Sequence, residues 1–167
     1  RRILIKDLRC GVSEKTINNV AKKNNFLSYI IPVFSCQLAQ DSDQHQKKLV
    51  GDKILEVKLD GVRVISILYT NGEVDLFSRN GKELRNFDNI KCQLKKTLEG
   101  KKIEEAFVID GEVVSRNFQE LMKQIYRKDN IQNNDAELFL FDKLSLNEFK
   151  DGKSERNQLH RNQELSQ

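Results

Sequence analysis

What this 167-residue chain lacks narrows the field first. Its three cysteines, Cys10, Cys36 and Cys92, are far apart and odd in number, and none belongs to a Cys-x-x-Cys pair. That argues against a disulfide framework and against the usual spacing of a structural zinc site, so a reducing, cytoplasmic setting is expected. No apolar run is long enough to cross a bilayer as a helix, and no membrane partner is expected. The chain opens Arg1-Arg2-Ile3, with neither an initiator Met nor the apolar core of a signal peptide. Proline occurs once, at Pro32, inside residues 26 to 37, which read as an extended connection. No internal repeat is visible.

What remains is a globular composition. Charged residues make up 32% and hydrophobic ones 38%, enough for one full domain core, or one domain and part of another. The net charge of +4 is unevenly placed. Residues 1 to 35 hold seven Lys or Arg against Asp7 and Glu14, whereas the remainder holds 22 basic and 23 acidic residues. A basic segment ahead of a near-neutral domain suits contact with a phosphate backbone. A solvated helical face would look the same from charge alone.

Taken in order, Ile3, Leu4 and Leu8 mark a short helical stripe that breaks at Cys10-Gly11. Ser13 suits an N-cap for a helix with Ile17 and Val20 on one face, ended by Asn24-Asn25. The polar stretch Gln40 to Gln46 reads as a loop. Lys53 to Val57 alternates polar and apolar residues as a half-buried strand would, placing Lys58 near a strand end. Arg63 to Thr70 reads as the next strand. Asn71-Gly72 then joins Val64–Tyr69 to Val74–Phe77 as a hairpin, the strongest short-range signal in the chain. Phe87, Ile90, Leu94 and Leu98 keep helical spacing, as do Phe118, Leu121, Met122 and Ile125. Strands are expected at Phe107–Ile109, running on to Val114, and at Leu138–Phe141, with helix from Ser154 onward. A domain boundary is expected after residue 30, giving units 1–30 and 31–167.

The chemistry concentrates in Lys58-Leu59-Asp60-Gly61-Val62-Arg63, a K-x-D-G-x-R pattern with four fixed residues in six positions. Asp60-Gly61 is expected to supply a turn needing a permissive backbone. A lysine held there beside an arginine suits covalent catalysis on a phosphate, the amine attacking and the arginine steadying charge on the phosphoryl oxygens. Three companions follow: Ser78-Arg79-x-Gly81, Asp110-Gly111-Glu112 and Phe141-Asp142. Singly, each has a plainer reading. Arg79 could be a surface charge, Glu112 a turn carboxylate, Asp110 a turn cap and Phe141 core. His45 and His160 lie in polar stretches and carry no assignment.

Together, the order and spacing of these four elements resemble those of ATP-dependent DNA ligases of the bacteriophage type, within the covalent nucleotidyltransferase superfamily. Asp7-Leu8-Arg9-Cys10-Gly11-Val12-Ser13 likewise resembles the segment just ahead of the ligase catalytic domain. The resemblance implies an α+β fold: an ATP-grasp-like nucleotidyltransferase (adenylation) domain of antiparallel sheets with flanking helices, preceded by the end of an α-helical DNA-binding domain. It implies Lys58 as the nucleophile that takes AMP from ATP. Arg63 and Arg79 match residues that hold the nucleotide and the nick 5′-phosphate, and Glu112 the carboxylate on the ribose or a divalent metal. Phe141 matches the aromatic that stacks on adenine, Glu56 the position that reads its edge, and Arg161 a further nucleotide-contacting arginine. ATP, Mg²⁺ and nicked duplex DNA are the implied cofactors and partner, and the enzyme is expected to be a monomer. An amine does this chemistry near neutral pH where burial or cationic neighbours favour its neutral form.

One departure stands out. The family's downstream E-G and K-x-K elements do not occur in the last 25 residues, nor does the OB-type domain. The chain is therefore expected to be an internal piece of a larger ligase that adenylates poorly alone. Within the same lysine chemistry, an RNA ligase or a capping-type guanylyltransferase is the alternative. A non-catalytic DNA-binding piece is another.

Overall fold

The Asn71-Gly72 pair determines the first strand pairing. Gly72 takes the left-handed φ of +79° that a tight hairpin needs and donates its N–H to the Tyr69 carbonyl. This is a computed structural model, and it describes residues 11–29, 36–127, 132 and 134–165. From the turn, β1 (Val62–Leu68) and β2 (Val74–Ser78) run antiparallel, with Ser66 opposite Leu76. On its other edge β1 pairs with β3 (Phe107–Val114), which pairs with β4 (Glu137–Ser145). The result is one four-stranded antiparallel sheet in the order β2-β1-β3-β4.

Side chains alternate across this sheet. Val64, Leu68, Val74, Leu76, Ile109 and Val113 form one face, and they bury against α2 (Asp88–Thr97) and α3 (Phe118–Tyr126). The helices deliver Ile90, Leu94, Leu121 and Ile125 to that core at helical spacing, and Phe87, just ahead of α2, is fully buried with them. Asn117 caps α3 by accepting from the Gln119 and Glu120 N–H groups. Two short helices finish the chain: α4 (Leu146–Asp151) and α5 (Gln158–Glu164). Ser145 and Glu148 close a reciprocal capping box on α4, and Gly152, at φ +67°, ends it.

The chain divides into two compact units, Arg1–Phe34 and Ser35–Gln167. In the first, α1 (Glu14–Lys23) is capped by Ser13, which accepts from the Thr16 N–H, and ends at Asn24. Its buried positions are Asn18 and Ala21, whereas Ile17 and Val20 are exposed, so the expected apolar stripe is not the packed face. The expected stripe at Ile3, Leu4 and Leu8 lies outside the described residues. Leu27–Tyr29 forms a 3₁₀ turn where an extended chain was expected, and the polar loop after residue 40 contains two more, Ser42–Gln44 and Gln46–Lys48.

One further expectation needs correction. Lys53 to Lys58 is not a strand: none of the four strands pairs with it, and Leu55 and Val57 are 95% and 84% exposed. Alternation alone cannot make a strand, because backbone donors and acceptors must find a partner. Asp110 and Gly111 lie within β3, as the strand expected to run on to Val114 requires, and the plainer turn reading of that pair does not hold. Two of the motif glycines, Gly61 and Gly111, serve close approach. A Cβ on Gly61 would meet the Val113 carbonyl oxygen at 2.3 Å, and one on Gly111 the Phe139 carbonyl oxygen at 2.5 Å. Gly61 does not have a positive φ, so contact with β3, rather than a turn, is what requires glycine there.

Phe87→Ala should therefore lower stability by about 3–5 kcal/mol, the usual range for emptying a full aromatic site. Gly111→Ala should destabilise as well, by forcing β3 and β4 apart. Urea unfolding checks both, and wild-type midpoints would refute this packing.

Candidate functional site

Strand register brings the motif residues together. Arg63 lies opposite Glu112 and Ile65 opposite Asp110, so all four share the sheet face turned away from α2 and α3. The pairing of β3 with β4 then slips. Asp110 faces Asp142 but Gly111 faces Leu140, leaving Phe141 as an extra residue in β4. A β-bulge of this kind re-aims a side chain, and here it sets the Phe141 ring 5.2 Å from the Arg63 guanidinium carbon.

Arg63 is the hub. Its Nε donates to Asp110 Oδ1 at 2.8 Å, one terminal nitrogen to Asp110 Oδ2 at 2.5 Å, and the other to the Gln37 carbonyl at 2.5 Å. The fork matches the carboxylate in a bidentate pair. Hydrogen bonding to Asp110 holds the guanidinium charged. Burial pushes the Asp110 carboxyl up, working against Arg63 and the Gly111 N–H. Burial also pushes Glu112 up, opposed by a hydrogen bond from the Gly61 N–H and by the charges of Arg63 and Lys58.

Around this hub lies a cavity of about 720 Å³, the size of a small-molecule site. Glu56, Arg63, Phe141 and Arg161 all line it. Lys58, Arg79 and Glu112 lie outside its lining. Lys58 is exposed in the unpaired segment ahead of β1, within electrostatic reach of Glu112. Arg79 is exposed in the Ser78–Gly81 turn, closed by the Gly81 N–H on the Ser78 carbonyl, and its own carbonyl lies 4.0 Å from the Cys36 thiol. The Cys36 thiol is pushed up by burial despite Arg63 beside it.

Arg161 is more occupied than its sequence position suggests. Its Nε donates to Asp142 Oδ1 at 2.7 Å; one terminal nitrogen donates to Asp142 Oδ2 at 3.0 Å and Gln158 Oε1 at 2.5 Å, and the other to the Arg156 carbonyl. Asp110, for which a turn cap was the plainer reading, clamps Arg63. The residues Cys36 to Ala39, on the cavity wall, gave no sequence signal at all. Asp142, inside the Phe-Asp pair, did carry one.

A second polar cluster borders the cavity. Glu148 accepts from Arg156 Nε at 3.1 Å and from the Ser154 hydroxyl at 2.6 Å, and a terminal nitrogen of Arg156 meets its other oxygen. Arg156 also donates to Glu164 at 2.6 Å, so α4 and α5 are cross-linked by charge. Hydrogen bonding to Arg156 holds the Glu148 carboxyl at about 2.

No group of three or more His, Cys, Asp or Glu could hold a metal ion among the described residues. Mg²⁺ commonly takes one or two carboxylates and completes its shell with water and substrate phosphates. Glu112, half-buried beside Lys58, fits as one such ligand.

Comparison with known proteins adds an independent line. A family model described as an ATP dependent DNA ligase domain matches residues 35–165. A solved structure described as Pmar-Lig_PreS3 matches with 51% identity and a TM-score of 0.81, over 99% of this chain and 38% of that one. A second, Pmar-Lig_Pre, has 50% identity, the same TM-score of 0.81 and the same coverage of 99% and 38%. An ATP-dependent DNA ligase from bacteriophage T7 in complex with ATP has 18% identity and a TM-score of 0.45, over 59% of this chain and 37% of that one. No curated protein matches. The chain spans about two fifths of the length of the solved proteins it matches.

The Glu148 cluster has a pH signature. Its folded value of about 2 lies below the ordinary 4.5, so its stabilisation is complete above pH 4.5 and is lost as pH falls toward 2. Glu148→Gln should cost about 1–2 kcal/mol at neutral pH, allowing for partial solvent screening, and should flatten that acid limb. Thermal midpoints measured across this range check it; an unchanged acid limb would refute it.

Proposed function

The chain belongs to the ATP-dependent DNA ligase family, and from that premise we propose that it serves nick sealing in duplex DNA through a lysyl-AMP intermediate. The observation that carries this reading is the shared sheet face. Register and bulge gather Arg63, Glu112 and Phe141 there, with Glu56 and Arg161 on the wall of the adjoining cavity.

In this reading the Lys58 amine attacks the α-phosphorus of ATP. A P–N bond forms, the bond to the bridging oxygen breaks, pyrophosphate leaves and the amine gives up a proton. A 5′-phosphate oxygen at the nick then attacks the same phosphorus and frees Lys58. The 3′-hydroxyl finally attacks the activated 5′-phosphate, closing the strand and releasing AMP. Lys58 supplies the covalent catalysis, and Arg63 offsets charge near the phosphates. Arg79, exposed in its turn, suits the nick 5′-phosphate. Phe141 offers adenine a stacking surface, and Glu56 its edge contact. Glu112 would hold the ribose or one Mg²⁺ ion, and a bound ion would neutralise phosphoryl charge. The basic first unit would meet the DNA backbone, and the protein would act as a cytoplasmic monomer.

The test is incubation with α-labelled ATP or GTP and Mg²⁺, then a denaturing gel and peptide mapping. Label from ATP on Lys58, abolished in Lys58→Ala, is expected. Label from GTP instead would favour a guanylyltransferase. No label from either nucleotide, both here and in a chain extended to the length of the solved relatives, would overturn the reading.

A further inference from the structure

Helix α5 touches the cavity through one face. Gln158, Arg161 and Asn162 stand three and four residues apart, the spacing that aligns side chains along a helix. Each reaches a different part of the wall. Gln158 Nε2 donates to the Phe141 carbonyl at 3.2 Å. Arg161 grips Asp142, the residue after Phe141, with both oxygens engaged, and this pair is among the better shielded ion pairs of the described residues, at 11% and 15% side-chain exposure. Asn162 Nδ2 donates to Glu56 Oε1 at 3.2 Å, across 106 positions of sequence.

The geometry points to α5 as the buttress of the nucleotide cleft, with Arg161 as a positioning residue that acts through Asp142 on the Phe141 bulge rather than by touching the nucleotide. This rests on the ligase reading for the nature of the ligand, but the buttress itself does not. A bulge leaves one residue outside the strand ladder, so Phe141 needs another support to hold its ring over the cleft. That support is the Gln158 and Arg161 contacts on either side of its peptide. A nucleotide-binding arginine needs free N–H groups facing the ligand; four of the five Arg161 N–H groups already donate within the protein, against three of five for Arg63. Asn162 adds an aim to Glu56. A carboxylate fixed at the adenine edge accepts from an amino group and repels the carbonyl oxygen that guanine carries there, so the same helix would set base preference.

The chain has no tryptophan, so Phe141→Trp gives a single reporter at the bulge. In that background, Arg161→Ala and Asp142→Ala should each shift the emission to longer wavelength, and the double variant should go no further, as members of one unit do. Without the reporter, Arg161→Ala should raise the ATP concentration giving half-maximal self-adenylation rate about tenfold, with the maximal single-turnover rate changed less than about threefold. Arg161→Lys should not rescue, because an ammonium cannot make the bidentate grip. Asn162→Ala should narrow the preference for ATP over GTP.

Unchanged emission in Arg161→Ala alongside lost adenylation would overturn the proposal and return Arg161 to the nucleotide, as would rescue by lysine. If Arg161→Ala loses cooperative unfolding, Asp142→Asn, which keeps shape and removes charge, makes the same comparison. A shifted reporter in a protein that no nucleotide labels would sustain the buttress and count only against the ligase reading.

Discussion

Arg63 is where the molecule's long-range order meets its chemistry. One guanidinium ties β1 to β3 through Asp110, reaches the Gln37 carbonyl and lies over the Phe141 ring. Desolvating such an ion pair is costly, and the Coulomb gain offsets that cost only when geometry and hydrogen bonding are good. Here they are good, with two oxygens met by two nitrogens and a third nitrogen satisfied by a carbonyl. Removing one partner would leave a half-buried charge unpaired, a larger penalty than the pair's net worth. The pair therefore says more about where Arg63 points than about how stable the fold is.

Everything around that hub is shaped to let backbones approach. Gly61 sits against the Val113 carbonyl and Gly111 against the Phe139 carbonyl, at distances no Cβ tolerates. Without the first, the Lys58 segment could not pass this close to Glu112, whose carboxylate accepts the Gly61 N–H. Without the second, β4 could not bulge beside Asp110. The Asp-Gly pairs at 60–61 and 110–111 thus share a reason that neither shows alone: each puts an acidic residue next to a place where two backbones nearly touch.

The two faces of the sheet divide the labour. One carries the apolar core against α2 and α3, and supplies the bulk of the hydrophobic stabilisation. The other carries the charged cleft, whose polar groups are satisfied by one another and by α4 and α5. That second face ends in a stretch unpaired among the described residues, Lys53 to Lys58, whose apolar side chains stand in solvent. Support is unevenly spread: among the described residues Lys58 is exposed on a segment outside the sheet, whereas Arg63, Glu112 and Phe141 lie on its strands.

Local interactions were legible from the amino acids. Asn71-Gly72 specifies its hairpin through one left-handed glycine; Ser13 caps its helix, and Phe87, Ile90 and Leu94 bury on one side of theirs. Motif spacing was enough to indicate the family, and the order β1, β2, α2, β3, α3, β4 followed from hydrophobic periodicity, although α4 gave no such signal. What tertiary structure decided was pairing at a distance. The partner of Arg63 lies 47 residues away, Phe141 turns toward it only because the β3–β4 register slips by one, and Arg161 is taken up by Asp142 before any ligand arrives. The alternation at Lys53 to Val57 promised a strand that no described neighbour completes. The physical reason is range: turns, caps and helix faces are settled within a few residues, where neighbours are known from sequence. Register, bulges and close contacts depend on which distant backbone arrives, and that is settled only when the chain folds.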